Sequence, residues 1–489
     1  MTLSFTMKKL LLITLSLCVT SAGVAQVKKR HDTKGLKDAV AKNIDSQYDK
    51  LQDIALQIWN FAEVGYKEVK SSALLASTLK ENGFDVTPGV AGIPTAFVAT
   101  FGSGKPVIGL LAEFDALPGL SQDAVPERKP LPGKEAGHGC GHHLFGTASV
   151  AAAIELKKLV EAKKLTGTIK VLGTPAEEGG SGKVYMVREG LFNDVDAVLH
   201  WHPGDRNEVT MTTWLANKSA KFRFYGAAAH AALAPERGRS ALDAVESMNY
   251  MVNMMREHVS TETRIHYVIT DGGKAPNVVP DYAEVYYYVR HPKREQAVAV
   301  FDRIVNAAKG AALGTETTMD FEIIGGTHEM LINTTLAKVM HKNLTAVGGV
   351  TYTDKDLKFA EQVQSTFREG KKPIASAGGV IPLAPDVVPS FGSTDVGDVS
   401  HVAPTVGLYA ATWVPGTSAH TWQAVACGAT PIGIKGMIIA AKTLALTGID
   451  LLSDTEVIKA AKAEFTQSIG DYKYTPLLGD RKPALNYRD

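Results

Sequence analysis

The sequence predicts an α/β protein: a catalytic domain with a mostly parallel, helix-covered sheet, and an inserted ferredoxin-like α+β domain. Short apolar stretches at 96–101, 107–111, 169–172 and 197–199 alternate with helical patterns, as in a parallel sheet covered by helices. Between 212 and 328 the order becomes strand, helix, strand, strand, helix, strand, which is typical of a ferredoxin-like unit. Because the parallel rhythm then resumes, we interpret this region as an inserted lid or dimerisation domain.

The individual elements follow from the spacing of apolar residues along the chain. This spacing predicts helices over 36–60, 70–82 and 146–163. Within the insertion, helices are predicted at 240–258 and 294–312, and strands at 218–225, 265–270, 284–289 and 317–324. After the insertion, helices are predicted at 334–347 and 430–448, a strand at 406–412, and a Gly- and Pro-rich loop at 366–392.

The N-terminus has the layout of a secretory signal. Lys8 and Lys9 precede an apolar run over 10–19, and small residues follow before a cleavage point at Gln26. The run is short for a membrane span, and the alternative is a buried N-terminal helix. We therefore expect an exported protein, periplasmic or extracellular, with no membrane span in the mature chain. The predicted division is a signal peptide (1–25), a first catalytic part (26–211), the insertion (212–328) and a second catalytic part (329–489).

Bulk composition restricts the class of function. The chain has 489 residues, of which 45% are hydrophobic and 21% are charged, as in a soluble globular enzyme. Its formal net charge of +1 gives no support for a nucleic-acid partner or for an anionic membrane surface. Removal of the signal would leave only Cys140 and Cys427, which are too few for a disulfide scaffold.

A cysteine and several histidines lie in one Gly-rich turn. Cys140 and His142 are separated by a single glycine, and His138 and His143 flank them. The turn precedes the helix predicted over 146–163, and a helix N-terminus lowers the pKa of a thiol. Thiolate and imidazole are ligands of zinc and similar first-row ions. We therefore predict that Cys140 and His142 bind metal; the alternative is a buried structural cysteine beside incidental histidines.

Two adjacent carboxylates follow a predicted strand. Glu177 and Glu178 come shortly after the strand at 169–172 and precede two glycines. Neighbouring side chains on an extended segment point in opposite directions, so one carboxylate can bind metal while the other faces the substrate. A general base needs only to reach the water that it deprotonates. The alternative is a solvated acidic pair.

Further histidines extend the candidate site. His200 and His202 flank a tryptophan after the strand at 197–199, and alternation puts both on one face, so either can be a ligand. His420 lies in a polar turn, and His230 lies among small residues. Taken alone, each of these two is more typical of a surface or capping histidine.

Together these segments resemble the dinuclear metallopeptidase and aminoacylase superfamily, which includes the acetylornithine deacetylase-like enzymes. Within it, the resemblance is to the amidohydrolase subgroup of the aminobenzoyl-glutamate hydrolases. The similarity runs in order over most of the chain. The matching stretches lie at 112–122, 137–143, 175–179, 199–203, 229–232, 238–243, 273–280 and 393–400.

The resemblance implies a role for each matching residue. Two divalent ions, zinc or manganese, would be held by Cys140, His142, Glu178, His200 and His420. Glu177 would be the general base, and His230 would reach the active site of a neighbouring subunit in a homodimer. Asn277 and Arg290 would contact the substrate.

Two departures from the pattern leave part of the metal site open. His143 stands where amino-acid-conjugate hydrolases carry Asp, and His202 is an additional imidazole beside His200. Either histidine could therefore join the metal site.

The function predicted from the sequence is metal-dependent hydrolysis of an amide bond in an N-acyl or N-aroyl amino acid. Metal-activated water would attack the amide, and Arg290 would pair with the carboxylate of this small-molecule substrate. Two alternatives remain at this point. One is an exopeptidase or dipeptidase of the same fold, and the other is an exported binding protein without catalytic activity.

Overall fold

The computed structural model describes residues 33–488. The predicted signal peptide (1–25) lies outside these residues. The helices in chain order are α1 (Thr33–Ser46), α2 (Tyr48–Phe61), α3 (Val69–Glu81), α4 (His142–Glu161), α5 (Gly182–Arg188), α6 (Ala241–Met255), α7 (Arg294–Gly314), α8 (Thr334–Val347), α9 (Asp354–Ser365), α10 (Val396–Ser400), α11 (Trp422–Gly428), α12 (Pro431–Ser453) and α13 (Thr455–Ile469).

Strands form one large sheet, one smaller sheet and a short two-stranded pair. In chain order they are β1 (Asp85–Pro88), β2 (Phe97–Ser103), β3 (Val107–Ala112), β4 (Gly167–Gly173), β5 (Ala197–Gly204), β6 (Glu208–Val209), β7 (Thr212–Thr213), β8 (Ala216–Tyr225), β9 (Arg264–Asp271), β10 (Tyr282–His291), β11 (Thr318–Thr327), β12 (Val388–Pro389) and β13 (Thr405–Ala411).

The large sheet has the order β1-β2-β4-β3-β5-β13-β6. Its four central strands, β4, β3, β5 and β13, run parallel, and antiparallel strands lie at both sides. Every residue of β3 is buried, as expected for a central strand covered by helices on both faces. The predicted α/β class with a mostly parallel sheet is therefore confirmed.

Helices α4 and α12 form much of the core that covers this sheet. Sixteen of the twenty residues of α4 are buried, including its first residue, His142. Helix α12 is long and apolar enough to cross a membrane, but 89% of its most apolar window is buried inside the structure. It therefore packs as a core helix.

The smaller sheet is antiparallel and has the order β11-β8-β10-β9. Helices α6 and α7 pack on it around a separate apolar core, in which Phe222 and Tyr287 meet edge to face. Along the chain the order is strand, helix, strand, strand, helix, strand, as the ferredoxin-like pattern predicts. The residue boundaries given above for separate domains stay a prediction.

Several element boundaries differ from those predicted, and two of these differences change the interpretation. The helical spacing over 36–60 belongs to two helices, α1 and α2, and α4 begins at His142 rather than near 146. Gly141 precedes α4 with a φ of +74°, a conformation that suits glycine. The chain can therefore turn sharply and enter the helix at His142. As a result, this histidine belongs to the first turn of a buried helix.

Several acidic and histidine side chains lie at the carboxyl ends of the parallel strands, at one edge of the large sheet. Glu113 follows β3, Glu177 and Glu178 follow β4, and His202 lies near the end of β5. Ligands in open α/β sheets bind beyond the carboxyl ends of the strands. This edge is therefore where the topology favours an active site.

Candidate metal centre and active site

Thiol, imidazole and carboxylate groups from distant parts of the chain converge at this edge. One ligand atom each of Cys140, His142 and His202 lies within 4.8 Å of the others, and so does one each of Cys140, Glu178 and His420. Sulfur, nitrogen and oxygen donors in such an arrangement suit zinc and neighbouring first-row ions. Because Cys140 belongs to both groups, the two groups form one continuous centre.

The buried carboxylate of Asp115 orients two of these ligands. Its Oδ1 lies 2.9 Å from His142 Nδ1, and its Oδ2 accepts a hydrogen bond of 2.9 Å from the backbone N–H of Glu178. When Nδ1 donates to Asp115, the lone pair of His142 is on Nε2, where a cation can bind. Sequence reasoning gave Asp115 no role, although it lies in the matching stretch at 112–122.

Several buried nitrogen and oxygen atoms in the centre have no hydrogen-bond partner and could bind a cation. His142 Nε2 and Glu113 Oε2 lie 3.0 Å apart, yet both are buried and neither has a hydrogen-bond partner. Glu178 Oε1 is likewise buried, and Nε2 of His420 lies 3.3 Å from it. Buried polar atoms are nearly always satisfied, so these atoms indicate a binding site for a positive ion.

Electrostatics in the centre are dominated by negative charge. Although burial opposes it, the carboxylates of Glu113 and Asp115 raise the pKa of His142 to about 10. Burial and the carboxylates of Glu178 and Glu177 raise the pKa of the Cys140 thiol well above its usual range. The prediction of a thiol pKa lowered by the helix terminus is therefore wrong for the protein without a cation. A divalent ion is what favours thiolate here.

Glu177 and Glu178 both reach the centre. One oxygen of each lies within 4.8 Å of a ring nitrogen of His142. The expectation that the two side chains diverge is wrong, because the chain at Glu177–Glu178 forms a turn rather than an extended segment. Ala176 has a φ of +57°, which starts this turn and brings the carboxylates to the same side.

The two adjacent carboxylates nevertheless have different environments. Burial and the charges of Glu178, Glu113 and Asp395 raise the pKa of Glu177 well above its ordinary value. Although burial raises the pKa of Glu178, its hydrogen bond with His420 and the charge of His142 lower it to about 2. Divergent pKa values of paired carboxylates are typical of an acid–base residue beside an ionised partner.

His202, rather than the predicted His200, belongs to the cluster of ligand atoms. The ring of His200 lies against Gly407 of the adjacent strand β13, where a Cβ atom would approach it to 2.3 Å. The Nδ1 of His202 bonds to the carbonyl of Pro203 at 2.7 Å, which leaves Nε2 as the available lone pair. Both histidines share a strand face, as expected, but of the two only His202 belongs to a group of ligand atoms within 4.8 Å of one another in the described residues.

His143 is placed away from the ligand atoms. Its Nε2 lies 3.1 Å from the backbone carbonyl of Gly428, and its ring packs on His138 with centroids 4.8 Å apart. Burial lowers the pKa of His143 well below its ordinary value. This histidine therefore supports the turn below the centre and is absent from every ligand group formed by the described residues.

A buried lysine lies behind the carboxylates. Lys183 Nζ is 2.7 Å from Glu113 Oε1 and 2.7 Å from Asp395 Oδ1. All three side chains are almost completely buried. Although burial opposes it, Asp395, Glu113 and Glu177 raise the pKa of Lys183, so its charge offsets part of the carboxylate charge. Sequence reasoning missed Lys183, although it closely follows Glu177 and Glu178, because a single lysine gives no local signal that it is buried.

A cavity of about 670 Å³ opens onto these residues. Its wall contains the aromatic rings of Phe145, Trp214, Tyr409 and Trp413. Arg206 and Lys372 add positive charge, although both pair with Asp205. Such a cavity, largely apolar with a few polar groups, is typical of a small-molecule site.

Three predicted residues lie outside this cavity in the described chain. His230 and Asn277 are exposed on neighbouring loops of the inserted region. Arg290 lies on β10, where its guanidinium packs over Tyr288 at 5.6 Å and its Nη1 is 3.5 Å from the carbonyl of Phe391. Their predicted contacts with substrate therefore stay predictions, and for His230 that contact involves a second subunit.

The fold and the site together define a metal-dependent hydrolase, in which a parallel sheet presents nitrogen, sulfur and oxygen donors around two adjacent carboxylates. The chain belongs to the peptidase family M20/M25/M40, whose family model matches residues 109–421.

Two similar proteins have the names of enzymes that hydrolyse amide or peptide bonds. The chain is 43% identical to a subunit of the p-aminobenzoyl-glutamate hydrolase of Escherichia coli strain K12, over 87% of this chain and 93% of the relative. It is 29% identical to the Xaa-Arg dipeptidase of Mus musculus, over 88% and 92% of the two chains. The protein is accordingly a metal-dependent amidohydrolase, and the alternative of a binding protein without activity is not supported.

A solved structure shows the same fold. A dinuclear metal-binding peptidase of Bacillus subtilis from family M20 superposes with a TM-score of 0.57 at 16% identity, and the match covers 83% of this chain and 99% of that chain.

Proposed function

We propose that this amidohydrolase cleaves the amide bond of N-aroyl or N-acyl amino acids with the help of two divalent ions, zinc or manganese. The observation that carries the proposal is the aromatic cavity that opens directly onto the thiol, imidazole and carboxylate centre. Cys140, His142, Glu178, His202 and His420 would hold the ions, with Glu113 Oε2 available as a further ligand.

In the proposed reaction the donor residues bind the ions and Glu177 transfers the proton. Bound divalent cations lower the pKa of water and polarise the amide carbonyl. Glu177 takes a proton from water as the water oxygen adds to the carbonyl carbon. Glu177 then returns that proton to the nitrogen as the C–N bond breaks, which releases a carboxylic acid and an amine. Lys183 limits the repulsion between Glu113 and Asp395 while the charge changes.

The walls of the cavity support an aromatic acyl group with an acidic amino acid. Flat rings such as those of Tyr409 and Trp413 stack favourably on an aromatic acyl group. Lys372 has a half-exposed side chain, so it can exchange its partner Asp205 for a substrate carboxylate. This assigns to Lys372 the role that the sequence suggested for Arg290.

A substrate panel tests the proposal. The panel contains p-aminobenzoyl-glutamate, N-acetyl amino acids and dipeptides that end in arginine, each assayed with zinc, with manganese and with a chelator. We expect the highest kcat/KM for the aroyl substrate and loss of turnover with chelator. A clear preference for dipeptides would instead favour the dipeptidase alternative.

The variant Glu177→Gln tests the catalytic base. We expect kcat to fall by a factor of about 10² or more, because general acid–base catalysis contributes at least that much, while metal content is unchanged. Glu189→Gln is the control, since Glu189 is an exposed carboxylate. Near-normal activity of the metal-loaded Glu177→Gln protein would refute the assignment.

We also propose that the protein forms a homodimer through the inserted region. Strand β9 lies at the edge of its sheet, and its Val268 is 55% exposed. On the neighbouring helix α6, Tyr250 and Met254 are also exposed. An exposed apolar edge strand is a ready surface for pairing with another chain, and a second copy is the occupant that the predicted role of His230 requires.

Export of the mature enzyme is part of the proposal. It rests on the signal-like sequence before Gln26. Cell fractionation with N-terminal sequencing tests it, and we expect a secreted or periplasmic protein that begins near Gln26. Retention in the cytoplasm with the full N-terminus would contradict this expectation.

A further inference from the structure

The turn that carries the two catalytic carboxylates is held from several sides. We call residues 174–180 the carboxylate loop. Buried Glu68 accepts a hydrogen bond of 2.8 Å from the backbone N–H of Ala176, and Asp115 accepts one from the N–H of Glu178. Tyr66 donates a hydrogen bond of 2.6 Å to the carbonyl of Gly180. These contacts fix three points of the loop.

The carbonyl of Glu178 is held by a different part of the chain. The hydroxyl of Tyr487 donates to it at 2.9 Å, and Nη2 of Arg488 donates to it at 2.6 Å. The second bond has a charged donor, and such bonds are stronger than neutral ones. The peptide groups on both sides of Glu178 are therefore fixed, one by Asp115 and one by Tyr487 and Arg488.

Neighbouring residues leave room for this contact. A Cβ atom at Gly65 would lie 2.1 Å from the Tyr487 hydroxyl, so only glycine permits the approach. The rings of Tyr66 and Tyr487 meet edge to face, with centroids 5.5 Å apart. Gly179, which has a φ of +89°, also faces the Tyr487 ring. The Tyr487 side chain is therefore closely packed against the carboxylate loop and its neighbours.

Hydrogen bonds also hold the start of residues 481–488, the segment that contains Tyr487. Arg188 donates to the carbonyl of Arg481 at 2.7 Å, and Tyr185 donates to that of Lys482 at 3.3 Å. Arg481 in turn donates to the carbonyl of Ile324 on β11 at 3.0 Å. The segment therefore connects the inserted region to the carboxylate loop.

We propose that Tyr487 and Arg488 are positioning residues of the metal centre. They hold the Glu178 carbonyl so that its side chain stays within reach of Cys140 and His420. This inference rests on the proposed role of Glu178 as a metal ligand. Groups that orient metal ligands commonly contribute a factor of about 10 to 100 to metal affinity.

Zinc binding to the metal-stripped full chain tests the inference. Affinity is measured by competition with a chromophoric chelator, for wild type, Tyr487→Phe and the double variant Tyr487→Phe with Arg488→Ala. We expect zinc binding about 10-fold weaker or more in the double variant, and partial recovery when Arg488→Ala is replaced by Arg488→Lys. Substrate KM should change less than kcat, because neither Tyr487 nor Arg488 lines the cavity.

Tyr474→Phe is the matched control. It removes a phenol hydroxyl that donates to Asp398 at 2.8 Å rather than to the carboxylate loop. The control should keep wild-type zinc affinity. Wild-type affinity in the double variant would overturn the inference. If the double variant does not fold, as judged by circular dichroism of the metal-free protein, Tyr487→Phe alone decides, because it removes a single oxygen.

A further variant separates this inference from the proposed function. If Glu178→Gln leaves zinc affinity unchanged, the proposed ligand role of Glu178 is wrong. If Glu178→Gln weakens zinc binding while the Tyr487 and Arg488 variants do not, only the positioning role is wrong.

Discussion

Two histidines separated by one residue differ in their distance from the other donor groups. His200 and His202 lie on the same face of β5, and burial is the largest cause that lowers the pKa of each, to about 3 and about 4. Both rings are therefore neutral at physiological pH and able to bind a metal. His202 lies in a group of ligand atoms with Cys140 and His142, whereas the His200 ring packs against Gly407 of the neighbouring strand.

Substitution of each histidine separates these roles. We expect His202→Ala to lose stoichiometric binding of one divalent ion and nearly all activity, because a ligand is removed. His200→Ala should keep its metal and lose mainly stability, since it removes a buried ring. Metal analysis by mass spectrometry after gel filtration measures the outcome. If His200→Ala loses the metal and His202→Ala retains it, the ligand assignment is reversed.

At this scale the sequence predicts the kinds of residue well and their arrangement less well. Cys140, His142, Glu178 and His420 meet as predicted because strand ends and one Gly-rich turn bring them to the same edge. The register between β5 and β13, which places His200 beside Gly407, is set by tertiary packing. No local pattern in the sequence could choose His202.

At the scale of elements, a buried polar cluster connects the inserted region to the large sheet domain. Arg294, the first residue of α7, donates to Glu329 Oε1 at 2.7 Å. The same oxygen lies 3.7 Å from Nε2 of His401, which follows α10. Glu329 comes just after β11, so its carboxylate joins three elements at the point where the chain leaves the inserted region.

The Glu329 carboxylate should make stability depend on pH. Although burial raises its pKa, His401 and Arg294 lower it from 4.5 to about 2. An acid with a lowered pKa contributes stability above its ordinary pKa and loses it as the pH falls toward the lowered value. We therefore expect Glu329→Gln to lower the free energy of unfolding at neutral pH, by about 1–3 kcal/mol. The difference from wild type should shrink as the pH falls from 4.5 toward 2.

Urea unfolding of the metal-free protein, repeated at decreasing pH, measures this effect. Glu295→Gln is the control, because Glu295 forms an ion pair with the same Arg294 but is 61% exposed. Exposed ion pairs contribute little to stability. A difference between wild type and Glu329→Gln that stays constant with pH would show that its charge is not responsible.

The elements themselves were largely predictable from the sequence. Apolar periodicity located the strands of the smaller sheet and all strands of the large sheet except the short β1 and β6, because burial on one or both faces is a local pattern. The spacing over 36–60 concealed a break between α1 and α2, since both helices bury residues at similar intervals. Residues of the cavity wall such as Lys372 and Trp413 could not be predicted, because they come from loops that meet only in the folded chain.

At the scale of the whole molecule, we propose that two copies pair through the exposed edge of the smaller sheet. Val268→Lys places a charge on β9 where the proposed dimer would bury it. We expect this variant to be monomeric in analytical ultracentrifugation, while the wild type is dimeric. Leu313→Lys is the control, since Leu313 is 84% exposed and lies at the end of α7. A monomeric wild type would contradict the proposed dimer.

The position of His230 restricts how the proposed dimer could form its active site. Its Nδ1 accepts hydrogen bonds of 3.2 Å from the N–H groups of Ala232 and Leu233, which fixes the ring on an exposed loop with Nε2 pointing elsewhere. His230 is not among the residues that line the cavity of its own chain. A catalytic role for His230 therefore requires that it act in the cavity of a second subunit.

Hybrid dimers test this requirement directly. We expect His230→Ala and Glu177→Gln to be inactive separately, because each symmetric dimer lacks one group at both sites. When the two variants are co-expressed with different tags, each purified hybrid has one site with both lesions and one site with neither, so it should have about half of the wild-type activity. If both groups acted within one chain, every site of the hybrid would carry a lesion. An inactive hybrid, or an active His230→Ala homodimer, would therefore show that the active site does not extend across the interface.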